Sequence, residues 1–281
     1  MQTMKVFGLM TVLTLLLVAG GSYFGGSSGA ILMFGVAAVM NVGSYWFSDK
    51  VVLRMYRARV LERGDAPELY TMVERLAERA GLPMPTVAIS PQPQPNAFAT
   101  GRSPERGVVC FTQGILQALP MDELEGVTAH ELAHIKHRHM LVGTVAATMA
   151  GALMMLSRVA AFGAMFGGRG GDRDNGIGGL VMMIVAPLAA LFIQMAISRQ
   201  NEFQADRTAA EIVGSPRGLA GALRRLDNYA RQIPMDVNPA AAQLAIVNPL
   251  SGRRGGVLSL LSTHPPMDER IARLLALEAG S

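Results

Sequence analysis

Four long stretches of the chain carry almost no charge, and they constrain its fold more than any other feature. They cover residues 6–24, 30–47, 140–162 and 177–197. A helix needs about 20 apolar residues to cross the hydrocarbon core of a bilayer. The apolar residues are concentrated in these stretches, and only 16% of all residues are charged, against roughly 25% in an ordinary soluble domain. The sequence therefore predicts a mainly α-helical membrane protein with four transmembrane helices.

Basic residues lie outside both ends of the first pair of stretches. Lys5 precedes the pair. A cluster of basic residues follows it: Lys50, Arg54, Arg57, Arg59 and Arg63. Positive residues are retained on the cytoplasmic side of a membrane, and the short segment Gly25–Gly29 leaves room only for a hairpin tip. We therefore expect both ends of this hairpin, and the residues after it, to face the cytoplasm.

The alternative for residues 6–24 is a cleaved signal peptide, which also has a basic residue, an apolar core and small residues near its end. The second apolar stretch, residues 30–47, follows at once and favours a membrane hairpin instead. Even after cleavage, the basic cluster would hold the later residues in the cytoplasm.

The second pair of stretches is less regular, because Arg158 interrupts it. This side chain could snorkel towards the headgroups, or the pair could lie partly in the interface. With four spans, an even number, residues 198–281 lie on the same side of the membrane as the amino terminus. The predicted organisation is as follows: a transmembrane hairpin at residues 1–49, a first cytoplasmic part at 50–139, a second transmembrane pair at 140–197, and a second cytoplasmic part at 198–281.

Charge and cysteine content argue against a nucleic-acid-binding protein and against a protein held together by disulfides. The net charge is +4, but the basic residues flank the apolar stretches, which explains them by membrane topology better than by a nucleic-acid surface. Cys110 is the only cysteine of the 281 residues. No disulfide can form within the chain, as expected for polar parts in a reducing cytoplasm.

The first cytoplasmic part has the pattern of a small α+β domain. Apolar residues recur at helical spacing from Ala66 to Ala80, and Gly81 is expected to end that helix. Strands are predicted at residues 86–89, 96–100 and 108–112, the second alternating like an exposed strand. Another helix is expected to begin near Asp122.

That last helix carries the sequence His130-Glu131-Leu132-Ala133-His134. Residues four apart lie on one face of a helix, so both imidazoles can reach one metal ion. Imidazole suits zinc, and a catalytic zinc has three protein ligands and one position for water. Glu131 can reach that water as a general base. A helix with two surface histidines is the alternative.

The third ligand is better sought among carboxylates than among histidines. No glycine follows the motif, so we expect the helix to continue and to place His137 about 10 Å along the axis from His130. One ion cannot bind both, and His137 and His139 are expected to face solvent or headgroups. Glu202 can complete a two-His, one-Glu set, and Asp206, four residues later, can accept the second N–H of a ligating imidazole.

Three segments in this order resemble the HtpX family of heat-shock membrane metalloproteases. They are His130–His134, Ser198–Asp206 after the second apolar pair, and Thr263–Pro266 near the end of the chain. This family belongs to the gluzincin metallopeptidases, together with the eukaryotic zinc CAAX prenyl proteases. The resemblance covers nearly the whole chain and implies a small α+β gluzincin-type domain beside the four spans.

The resemblance implies a role for each matching residue. His130, His134 and Glu202 would bind one zinc ion per chain, with Glu131 as the catalytic base. Asp206 matches the acid that orients a ligand.

Two further matches concern substrate. Asn96, Ala97, Phe98 and Ala99 match an edge strand that pairs with the substrate backbone, which predicts broad specificity. The resemblance assigns His264, with help from Arg270, to stabilisation of the reaction's oxyanion. A histidine that caps or packs a helix is the alternative at this position. The segment His137-Arg138-His139 departs from relatives, which often carry Asn and then Asp there.

The expected function is hydrolysis of misfolded or damaged membrane proteins under stress, at the cytoplasmic face of a bacterial or archaeal cytoplasmic membrane. Protein substrates, the lipid bilayer and the chain itself, through self-cleavage, are the expected partners; nucleic acid is not. A CAAX-type prenyl protease shares the motifs but has more than four spans. An inactive zinc-binding scaffold is the other alternative, and the presence of Glu131 argues against it.

Overall fold

The computed structural model describes residues 2–167, 199–232, 246 and 265–279. Within them the protein is mostly helical, with one four-stranded sheet. Its helices are α1 (Gln2–Trp46), α2 (Ser48–Met55), α3 (Pro67–Ala80), α4 (Gln113–Ala118), α5 (Met121–Lys136), α6 (His139–Gly167), α7 (Arg199–Val213), α8 (Arg217–Gln232) and α9 (Met267–Ala279). Its strands are β1 (Arg59–Val60), β2 (Thr86–Ser90), β3 (Ala97–Thr100) and β4 (Val108–Thr112).

Helix α1 is a hairpin of two apolar arms, Gln2–Tyr23 and Gly25–Trp46, each 22 residues long. The reversal occurs at Gly26, whose φ of 60° and ψ of −146° leave the helical region; a glycine adopts such angles without steric cost. Both arms are long and apolar enough to cross a membrane. The tip is shorter than the predicted Gly25–Gly29 turn, because residues after Gly26 are already helical.

The two arms contact each other through small and polar side chains. Asn41 Nδ2 donates to Thr14 Oγ1 at 2.9 Å and to the Met10 carbonyl at 3.3 Å. Near the tip, a Cβ added to Gly21 would overlap the carbonyl oxygen of Gly29. Close approach of small residues and interhelical hydrogen bonds are the usual means by which membrane helices associate.

The first arm also packs against α6. Val6, Leu9 and Leu13 are buried in one cluster with apolar side chains of α6, among them Leu141, Val145, Met149 and Leu153. Helix α6 covers the third predicted span, whereas residues 177–197, the fourth, lie outside the described residues. Two of the four predicted transmembrane helices are therefore present as candidate spans, and the other two stay a prediction.

The sheet has the strand order β1-β2-β4-β3. Strands β2 and β4 are parallel, with Thr86 opposite Val108, and β3 is antiparallel to β4, with Ala97 opposite Phe111. All four residues of β3 are buried, so the expectation of an exposed strand was wrong. Helices α5 and α6 pack against β3 and cover side chains that the alternating pattern assigned to solvent.

Helix α5 lies at the centre of the polar domain. It contacts α3, α7, α8 and β3, and its residues from Gly126 to Ala133 are all buried. Helix α3 begins with a proline in its first turn and ends at Gly81 in the left-handed conformation, as the sequence predicted. A central helix surrounded in this way holds its side chains in one orientation, which suits a site that needs fixed geometry.

Candidate metal centre

His130 and His134 lie one turn apart on α5, and their Nε2 atoms are 3.1 Å apart. Glu202 approaches from α7. Its Oε1 lies 3.5 Å from Nε2 of His134 and its Oε2 lies 3.7 Å from Nε2 of His130. One ligand atom from each of the three residues lies within 4.8 Å of the others. The structure thus brings together three groups that sequence analysis proposed as ligands.

Whether this cluster can bind a cation depends on which ring nitrogens carry protons. Nδ1 of His130 lies 3.0 Å from Oδ1 of Asp206. A carboxylate accepts a hydrogen bond, so the His130 proton belongs on Nδ1 and the lone pair on Nε2. That lone pair faces a second imidazole nitrogen and the Glu202 carboxylate. Three converging acceptors, two nitrogens and one carboxylate, fit a metal ion, and zinc is the ion this set suits.

Asp206 is held by a second partner, Arg270 of α9. Arg270 Nη2 donates to Oδ1 of Asp206 at 2.7 Å and Nε donates to Oδ2 at 2.9 Å. Arg270 is fully buried, and its Nη1 also lies 3.5 Å from Oε2 of Glu202. Burial alone would raise the pKa of Asp206, but the charge and hydrogen bonds of Arg270 outweigh it and lower that pKa. Asp206 is therefore ionised and accepts hydrogen bonds.

Glu131 lies beside the three ligand candidates and is itself buried. Burial raises the pKa of Glu131 to about 7; the charge of Glu202 adds to this, while His130 and a hydrogen bond from the Ala99 backbone oppose it. Burial likewise lowers the pKa of His134 well below its usual range. Low proton affinity leaves the His134 ring neutral, the form that binds metal ions.

The predicted continuation of the motif helix was wrong. Helix α5 ends at Lys136, and Arg138 takes a φ of 58°, a left-handed conformation that is uncommon outside glycine. The chain bends between α5 and α6, and Nδ1 of His139 lies 3.3 Å from Nδ1 of His134. His139 is buried instead of facing solvent or headgroups.

His137 is also engaged with the protein. It contacts Thr208 Oγ1 at 2.9 Å through Nε2 and Gln204 at 3.3 Å through Nδ1. Sequence reasoning missed both histidines because no local signal predicts a left-handed arginine; the departure from relatives at 137–139 was the only hint.

The residues predicted to bind substrate lie next to the cluster. Strand β3 is at one edge of the sheet, with β4 as its neighbour among the described residues. Ala97 and Phe98 are buried, and the Ala99 backbone hydrogen-bonds Glu131. The Asn96 side chain accepts the backbone N–H of Ile246 at 3.0 Å, which occupies that oxygen within the protein.

His264 lies outside the described residues, and its predicted role stays a prediction. Arg270, six residues later, is placed at the site, where it contacts Asp206 and Glu202. The sequence pointed to Arg270 only as a helper of His264. A buried arginine with two carboxylate partners could not be inferred from its helix, since the partners lie on α7.

Comparison with known proteins decides the family. Residues 64–278 match peptidase family M48. The chain belongs to this family of metal-dependent peptidases. It is therefore a metalloprotease, and its two apolar helices, long enough to cross a membrane, support a membrane location.

Curated relatives agree over most or all of their length. A protease HtpX homolog of Gemmatimonas aurantiaca is 57% identical over 282 residues, covering 99% of this chain and 100% of the relative. Homologs of Desulfatibacillum aliphaticivorans and Salinibacter ruber are each 53% identical, over 95% and 98% of this chain and 86% and 97% of the relatives. The M48 chain is thus of HtpX type. Among solved structures, S. mikatae Ste24p matches with 20% identity and a TM-score of 0.49, over 97% of this chain and 65% of that one.

Proposed function

We propose that this chain is a membrane-integrated zinc endopeptidase that hydrolyses misfolded or damaged membrane proteins at the cytoplasmic face. The observation that carries the proposal is the cluster of His130, His134 and Glu202, with the buried carboxyl group of Glu131 beside it. His130, His134 and Glu202 would hold the ion. When bound, zinc supplies Lewis acidity, which makes a water nucleophilic at neutral pH and polarises a carbonyl.

Glu131 is the proposed base. It accepts the proton of the attacking water and delivers it to the departing amine. Burial, which raises its pKa, helps it to hold the proton between these steps. Asp206 fixes the tautomer of His130 from behind, and Arg270 keeps Asp206 ionised and in place.

Strand β3 is the proposed support for substrate. Its position at the sheet edge suits addition of an extended peptide, which reads backbone more than side chains. The hydrogen bond between the Ala99 backbone and Glu131 shows how close this strand lies to the base. A substrate strand on β3 would therefore carry its peptide bonds past Glu131. His264 is proposed to stabilise the oxyanion.

The test of the activity uses purified full-length protein in detergent, wild type beside Glu131→Gln. Each is stripped of metal, given one equivalent of zinc, and followed on a gel for loss of casein and of itself. Only zinc-loaded wild type is expected to cleave, while both proteins bind zinc. If both bind zinc firmly and neither cleaves, the chain is a scaffold and the proposal is wrong.

The proposed topology has four spans with both polar parts in the cytoplasm. The basic residues on either side of the hairpin support it. Single cysteines in a Cys110→Ser background test it: an impermeant maleimide should label Ser27→Cys in intact cells and Glu62→Cys only after lysis. Both positions are exposed in the protein, so the membrane alone decides access. Labelling of Glu62→Cys in intact cells, with Ser27→Cys labelled only after lysis, would show the opposite topology.

A further inference from the structure

His139 contacts a proposed metal ligand from the side opposite the metal. It is the first residue of α6 and is buried. Its Nδ1 lies 3.3 Å from Nδ1 of His134, and the two rings meet edge to face with centroids 5.4 Å apart. Nε2 of His134 points the other way, towards His130 and Glu202.

The position of the protons in the His134–His139 pair follows from the proposed role of His134 as a metal ligand. For Nε2 of His134 to offer a lone pair, its proton must be on Nδ1. A part-buried N–H such as this one needs an acceptor, because leaving it unpaired is unfavourable. A buried imidazole such as His139 favours its neutral form, and a neutral ring has one nitrogen that accepts. The nitrogen placed to do so is Nδ1 of His139.

We propose that His139 is a positioning residue that accepts the Nδ1–H of His134 and thereby aims the Nε2 lone pair of His134 at the metal. The inference rests on the proposed function, in which His134 is a ligand. It makes the two histidine ligands unlike each other: His130 is oriented by the carboxylate of Asp206, and His134 by a neutral ring.

Groups from α7 hold His139 in turn. The Gln204 side chain hydrogen-bonds His139 and also contacts Nδ1 of His137 at 3.3 Å. The His137 ring stacks on His139 with centroids 5.4 Å apart, and its Nε2 meets Thr208. The ring that orients His134 is therefore fixed both by the start of α6 and by the helix that carries Glu202.

The experiment measures zinc affinity by competition with a chromogenic chelator, using the full-length protein in detergent. His139→Phe keeps a ring but removes the acceptor, and His139→Asp supplies a different acceptor. Loss of a group that orients a ligating histidine typically weakens metal binding about 10–100-fold. We expect that loss for His139→Phe, with affinity within about threefold of wild type for His139→Asp. Lys136→Ala is the control and should bind zinc as wild type does, since Lys136 is exposed and belongs neither to the proposed ligands nor to the groups that hold His139.

A spectroscopic readout separates orientation from general damage. Cobalt-loaded His139→Phe should show shifted visible absorption bands, because the imidazole of His134 no longer has a fixed direction, while His139→Asp should retain the wild-type bands. Metal-free melting temperatures report folding. If His139→Phe does not fold, His139→Leu repeats the comparison, and if neither folds, the Asp variant decides: a loss of affinity there overturns the proposal.

The possible failures are distinguishable. If wild type binds no zinc, or His134→Ala binds it as tightly as wild type, the ligand set of the proposed function is wrong. If His134→Ala loses zinc while His139→Phe matches wild type in affinity and cobalt spectrum, the ligand set stands and only the role of His139 is wrong.

Discussion

Asp206 and Arg270 form a buried charge pair, and its contribution to the stability of the protein depends on both members. Arg270 is fully buried and bonds Asp206 through two nitrogens. Removing one member of such a pair leaves a charge without full compensation and costs about 3–5 kcal/mol. We predict that Asp206→Ala lowers the stability of the metal-free protein by about that amount, measured by thermal unfolding in detergent.

The matched control lies on the same helix. Arg273 and Glu269 form an exposed pair four residues apart on α9, and exposed pairs contribute about 0–1 kcal/mol. Glu269→Ala should therefore change the melting temperature little. Equal losses in melting temperature for Asp206→Ala and Glu269→Ala would show that burial does not increase the contribution of the Asp206–Arg270 pair to stability.

At the scale of single residues, the sequence predicted which side chains form the cluster but missed the residues that contact the cluster from outside. His130, His134 and Glu202 converge as the spacing and the carboxylate argument suggested, because helical periodicity places residues four apart on one face. His139 was misplaced, since its position depends on one left-handed residue, Arg138. Arg270 was named without its partner, because the contact joins residues 64 apart in the sequence.

Among the helices, the membrane hairpin depends on close contact between its arms. Gly20 and Gly21 are neighbours, but a Cβ at Gly21 would overlap Gly29 whereas one at Gly20 meets nothing within 4 Å. Both substitutions to alanine gain the same helix propensity, up to about 1 kcal/mol. We predict that Gly21→Ala lowers the melting temperature and Gly20→Ala does not. If the two variants melt alike, the arms do not pack as described.

One hydrogen bond joins β3 to α6. Thr144 Oγ1 donates to the Met140 carbonyl at 2.6 Å, so in its 3.1 Å contact with Thr100 it accepts and Thr100 donates. Thr144→Val leaves a buried hydroxyl on Thr100 without its acceptor, at a cost of about 1–3 kcal/mol. The double variant Thr100→Val, Thr144→Val should be at least about 1 kcal/mol more stable than the sum of the single effects predicts.

Thr148→Val provides the comparison for that pair. Thr148 makes the same kind of bond within α6, to the Thr144 carbonyl at 2.8 Å, but among the described residues it has no hydrogen-bond partner on β3. Its effect should add to that of Thr100→Val without coupling. Full additivity for Thr100 with Thr144 would contradict the proposed donor and acceptor roles.

Elements with strong periodicity were predicted and short ones were not. Helix α3 follows from its apolar spacing and from Gly81, which ends it. Helix α2 and strand β1, of eight and two residues, are too short for a periodic signal and were missed. The burial of β3 escaped prediction because it depends on which helices cover the sheet, and a strand's own alternation carries no such information.

For the molecule as a whole, metal binding should be a source of stability, because the proposed ligands join α5 to α7. Zinc at 100 times its Kd adds about 2.7 kcal/mol, or roughly 5–10 °C in melting temperature at about 2–4 °C per kcal/mol. Glu202→Gln should reduce this shift, since the ligand from α7 is weakened. An equal shift in wild type and Glu202→Gln would exclude Glu202 as a ligand.

The distance in sequence between the two halves of the site sets the order of events during synthesis. His130 and His134 leave the ribosome well before Glu202, because a long apolar segment separates them in the sequence. Arg270 follows Glu202 in the sequence and comes later still. With the proposed ligand set, a nascent chain therefore has no complete site until Glu202 and the helix that carries it have been made, so it cannot attack other proteins during the earlier part of its synthesis.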